Sequence, residues 1–73
     1  MVIFTHHALL KLKQRGIKKD SVTQTLHKPD HVSPSHNQRS IVFKKIGSMY
    51  LKVVFRKEEE DIVVITQHWV KKI

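Results

Sequence analysis

The chain of 73 residues contains no cysteine. That excludes disulfide staples and thiolate metal ligands, and it fits a reducing compartment. Glycine and proline number two each, and Gly16, Pro29, Pro34 and Gly47 all fall where an element is expected to stop or be interrupted. Long apolar runs are missing as well. Stretches such as 41–43 and 62–65 are far below the about 20 residues that span a bilayer, and no basic segment followed by a long apolar run opens the chain. A cytoplasmic protein with no membrane partner is expected. Acidic residues are the last scarcity: six against fourteen lysines and arginines, for a formal charge of +8. Four of the six are consecutive, at Glu58, Glu59, Glu60 and Asp61, so elsewhere fourteen basic residues face two acidic ones. On so small a surface this excess attracts nucleic acid, an acidic protein or an anionic membrane, or else serves solubility alone.

Length alone allows one folding unit, residues 1–73, with a modest core. Val2, Ile3 and Phe4 suit a short first strand or an extended lead-in. Thr5 is placed to cap a helix over His6–Arg15, which Gly16 ends, with Ala8, Leu9 and Leu12 at helical spacing. Asp20 or Ser21 is expected to cap a second helix carrying Val22 and Leu26 and ending before Pro29. Residues 30–39, polar and interrupted by Pro34, read as a loop or edge strand. Strands are expected over Arg39–Ile46 and 49–57, joined in a hairpin at Gly47, and over 62–69 after an acidic turn. In the second of these strands Leu51, Val53 and Phe55 point one way, and Tyr50, Lys52, Val54 and Arg56 the other. Helices followed by strands predict an α+β domain: two short N-terminal helices packed on a three- to four-stranded antiparallel sheet.

Six histidines raise the question of a metal, which would need three or four converging ligands. Pro29 separates His27 from His31, and adjacent His6 and His7 diverge on a helix, so no metal and no cofactor is expected. A basic sheet face is the stronger feature. Lys52 and Arg56 are four residues apart on one side of a strand, roughly 13 Å, with Tyr50 in the same row and Lys44 joining if Ile41 and Phe43 face the core. Such a row can engage successive phosphates while Tyr50 stacks on a base; it equally suits a lysine-guarded face that discourages edge-to-edge association. His7, in a helical first turn where the dipole disfavours further positive charge, is a candidate proton acceptor, and His68 on the last strand a candidate acid partner. Cleavage of RNA without metal needs a base, an acid and cations around the phosphate.

The segments Phe4-Thr5-His6-His7-Ala8, Arg15-Gly16-Ile17, Val22 and Leu26 before Pro29-Asp30, and Val63-Val64-Ile65-Thr66 together resemble a family of uncharacterised small bacterial and archaeal domains. That family is similar in layout to the RelE/ParE-like toxins of the barnase-like nuclease group. The resemblance spans nearly the whole chain. It implies helices packed on one side of a sheet, RNA or the ribosome met on the other, and an acidic antitoxin as protein partner. The matching positions are His7, Arg15, Gly16 and Thr66, with Arg15 either contacting RNA or tying the helix end to the sheet. A toxin-like RNA-binding protein, with endoribonuclease activity through His7, His68 and Tyr50 and binding through Lys44, Lys52, Arg56 and Arg15, is the leading expectation. A non-catalytic module that holds an acidic protein is its rival.

Overall fold

The computed structural model describes the backbone of residues 1–73 and every side chain but that of Ser35. In chain order the elements are β1 (Val2–Phe4), α1 (His6–Arg15), α2 (Lys19–His27), β2 (His31–His36), β3 (Arg39–Ile46), β4 (Met49–Glu58) and β5 (Asp61–Val70). The five strands form one sheet in the order β1-β5-β4-β3-β2, antiparallel except where β1 runs parallel to β5. The class is the expected α+β with two helices on a sheet, but both edges exceed the expected strand count. At one edge β1 is too short to show alternation, and its pairing is remote in sequence. At the other, β2 accommodates Pro34 because an edge strand spares one row of ladder bonds.

Local chemistry sets the helix ends. The Thr5 hydroxyl accepts from the Ala8 N–H at 3.0 Å and donates to the Ile65 carbonyl at 3.2 Å, so one side chain caps α1 and ties it to β5. At the other end Gly16 takes φ 62°. Its N–H reaches Lys13 O, and the Ile17 N–H reaches Leu12 O at 2.9 Å, the pattern of a left-handed helix stop with a following apolar contact. Ile17 and Leu12 meet in the core. Because Ile17 is buried there, the chain turns at once into α2. The cap is Lys18, which makes no side-chain capping bond, rather than the expected Asp20 or Ser21. Asp20 lies within the first turn, where a negative charge suits the helix dipole.

The core lies between the helices and one face of the sheet: Ala8, Leu12, Ile17 and Val22 meet Val42, Leu51, Val53, Phe55 and Val64. Alongside this apolar contact, polar ties join α1 to β5. The Gln67 amide nitrogen donates to Ala8 O at 2.8 Å, and the Trp69 indole N–H to Arg15 O at 3.1 Å. Among the described residues no helix is long and apolar enough to cross a membrane.

One irregularity controls what the other face of the sheet displays. Along β4 and β5 the register runs Lys52↔His68, Val53↔Gln67 and Val54↔Thr66, then jumps to Phe55↔Val64, leaving Ile65 as the extra residue of a β-bulge. Before it, Ile62 and Val64 turn to the core; after it, Gln67 and Trp69 do. Strict alternation would have sent Thr66 and His68 inward. The bulge sends them to the open face instead.

Candidate functional site

The open face is built from residues opposite one another in register. A row crosses four strands: His31 of β2 pairs with Phe43 of β3, Phe43 with Lys52 of β4, and Lys52 with His68 of β5. One step along lie Lys45, Tyr50 and Val70; a step the other way lie Ile41, Val54 and Thr66. The rings of His31 and Phe43 meet at 5.7 Å with a tilt of 58°. Phe43 is only 8% exposed, so it supports the row from below, and exposed His31 and half-buried Tyr50 offer the accessible ring faces. The face is mixed rather than purely basic, because Val54 and Val63 are buried within it.

Arg15 completes the row from the helical layer. Its Nη1 donates to Gln67 O at 2.8 Å and lies 3.4 Å from both Thr66 Oγ1 and His68 Nδ1. The side chain thus ties the end of α1 to β5, one of the two roles expected for it, and adds a cation beside His68. Burial first, then Lys52, then Arg15, holds the imidazole below the ordinary histidine value of 6.5. A neutral imidazole between two cations, half-open to solvent, can accommodate an anion and hydrogen-bond to it.

The other expected residues do not all converge there. Arg56 lies on the open face opposite Val63, four residues along β4 from Lys52, and it is paired with Glu58 at 3.5 Å. Tyr50 borders the row. His7 is exposed in the first turn of α1, eight residues before Arg15 and hence about 12 Å from it along the helix axis. Lys44 is a correction: Val42 rather than Ile41 and Phe43 enters the core cluster, so Lys44, opposite Leu51, points to the helical side. There its Nζ donates to Lys28 O at 3.1 Å, beside a cleft of about 260 Å³ lined by Gln24, His27, Lys28 and Lys44. Lys45, which sequence reasoning passed over, takes its place opposite Tyr50 on the open face. The apolar triplet 41–43 fits either phase, and the only signal was Val42 facing Val53 across the hairpin.

The acidic turn lies away from this cluster. The Glu58↔Asp61 pair is six register positions from Lys52↔His68, roughly 20 Å, well beyond the screening length of about 8 Å at physiological ionic strength. Among the described residues no three histidine or acidic side chains come together as a metal site would require.

Comparison with known proteins bears on the fold and the family. The chain superposes on the crystal structure of the Brucella abortus ribonuclease toxin BrnT with a TM-score of 0.72, covering 97% of this chain and 96% of that one, at 13% identity. No curated protein matches the sequence. The sequence of residues 4–66 fits the model of DUF4258, a domain of unknown function, and the chain belongs to that family.

Proposed function

We propose that this chain is a toxin-like RNA-binding protein that acts in the cytoplasm and takes RNA on the open face of its sheet, as expected of a RelE/ParE-like layout. The observation that carries the reading is the Lys52–His68–Arg15 cluster on that face, in a fold shared with a ribonuclease toxin. Lys52, Arg15 and Lys45 meet phosphates, Arg56 extends the track once its bond to Glu58 yields, and Tyr50 and His31 stack on bases. The chemistry suited to this site is metal-independent transfer: the 2′-oxygen attacks the adjacent phosphorus, the bond to the 5′-oxygen breaks, and the 2′ proton leaves as one arrives on the 5′-oxygen. Cations and hydrogen-bond donors around the phosphate stabilise the charge that develops on its oxygens. A protein partner is also supported. Leu9 and Leu10 are 41% and 48% exposed on α1, and with the formal charge of +8 they suit an acidic, partly apolar antitoxin.

Induced expression in a bacterial host tests the toxin reading. Growth arrest with RNA cleavage is expected, abolished by His68→Ala in a variant whose melting curve stays cooperative. RNA binding without cleavage or arrest would favour the non-catalytic module, and harmless expression with no RNA binding would overturn the proposal.

A further inference from the structure

We infer that Arg15 locks His68 in the tautomer protonated at Nε2, so that His68 meets a phosphate oxygen as a neutral hydrogen-bond donor and does not take the 2′-hydroxyl proton. The identity of the anion rests on the proposed function; the lock itself does not.

The argument begins with what a guanidinium can do. Arginine has only donors, and it stays charged in proteins. When its Nη1 approaches His68 Nδ1 at 3.4 Å, the lone pair must belong to Nδ1, and the proton of a neutral ring then sits on Nε2. The guanidinium is not free to swing away. The same Nη1 is held at 2.8 Å by Gln67 O, and the Arg15 carbonyl is held by the Trp69 indole. The Cα is fixed by the left-handed stop at Gly16. Arg15 is therefore anchored to β5 through both backbone and side chain.

The charged alternative is opposed from two sides. An imidazolium would turn an Nδ1–H toward the Arg15 cation, and Lys52 faces the ring from β4. The charged groups acting on His68 are these two cations, in addition to burial, and all three hold the ring neutral. Nε2 has no hydrogen-bond partner among the described residues, and it is the nitrogen left to meet a ligand on the open face. A neutral imidazole that donates to a developing oxyanion is an established catalytic role. Here Lys52 and Arg15 supply the charge and His68 supplies direction. Arg15 is thus a positioning residue for His68 as well as a cation.

Nitrogen NMR of the whole labelled chain at neutral pH tests the lock, with the His68 signals assigned by their loss in His68→Gln. Nδ1 is expected to resonate as an unprotonated, pyridine-type nitrogen and Nε2 as a protonated, pyrrole-type one; the reverse pattern, or an imidazolium at pH 7, overturns the inference. Arg15→Ala should mix the tautomers and raise the His68 midpoint. If that variant fails to fold, the wild-type pattern decides alone. Inorganic phosphate should then move the Nε2 resonance more than Nδ1, and an unmoved Nε2 overturns the donor role. Absence of RNA cleavage with the tautomer as stated would sink the ribonuclease reading and leave the lock standing, so the two fail separately.

Discussion

Lys44 and Lys52 occupy adjacent strands one register position apart, Lys44 opposite Leu51 and Lys52 opposite Phe43, yet they are on opposite faces of the sheet and do different work. Lys44 points to the helical layer and donates to a carbonyl just past the end of α2, where a cation stabilises the negative end of the helix dipole. Lys52 points to the open face, where it sits beside His68 and depresses its proton affinity. The two side chains are chemically identical. Sheet register makes one a helix cap and sets the other beside His68 on the open face, so net charge alone could not tell them apart.

The most severe way to break this difference is to shift the phase of β5 beyond the bulge. Inserting one alanine between Thr66 and Gln67 moves the rest of β5 by one position, turning His68 inward and Gln67 and Trp69 outward. The ties from Gln67 to Ala8 and from Trp69 to Arg15 would be broken, and a polar imidazole would be placed against the core. A cost of about 3–5 kcal/mol is expected, against a total of roughly 4–11 kcal/mol for a domain of this length. Thermal melting should show a large fall in Tm or loss of a cooperative transition. A wild-type Tm would mean that the phase of β5 beyond the bulge is dispensable to the fold.

A gentler probe reverses one charge at a time. Lys52→Glu is expected to weaken binding of a short single-stranded RNA by more than about tenfold, since a charge-assisted phosphate hydrogen bond is worth about 1.5–3 kcal/mol. It should also flatten the salt dependence by roughly 0.7 for each phosphate that is no longer neutralised. Lys44→Glu, on the opposite face, should leave affinity within about twofold and lower stability by about 0.3–1 kcal/mol. Fluorescence anisotropy across a salt series separates them. Equal reductions of affinity would erase the distinction between the faces.

What the sequence made legible was whatever depends on near neighbours. The bounds of α1 follow from Thr5 and Gly16, both acting within a few residues, and the β3–β4 hairpin follows from Gly47. The five-stranded sheet was less legible, because β1 pairs with β5 some sixty residues away and three residues carry no pattern. The cation row was half legible: Tyr50, Lys52 and Arg56 alternate cleanly against Leu51, Val53 and Phe55, whereas the triplet 41–43 is apolar throughout and hides the phase of β3. His68 was chosen for its chemistry, but its location depends on a bulge within another apolar run, 62–65. A retrospective clue exists, since Ile62 and Val64 are even-numbered while Gln67 and Trp69 are odd. A phase jump between two inward sets marks a bulge, provided that Gln67 is recognised as buried.

The smallest effect follows from His68 itself and is read without any ligand. Its folded value lies below the ordinary 6.5, which the unfolded chain retains. Between those two values the unfolded chain binds more protons than the folded one, so stability must rise with pH across that window and fall as the solution is acidified through it. Above 6.5 the ring is neutral in both states and the penalty vanishes; below the folded value it is charged in both and the loss is complete. Because the imidazole is half-open to water, screening keeps the effect small. The measurement is a difference: urea midpoints of the wild-type chain and of His68→Asn from pH 7.5 down to pH 5, in which the other five histidines cancel. The wild-type chain should lose stability relative to the variant as pH falls, and less so when Lys52→Ala is present in both, because Lys52 is one of the cations that create the window. Parallel curves would mean that His68 is not held neutral by its neighbours, and the contrast between Lys52 and Lys44 would then rest on location alone.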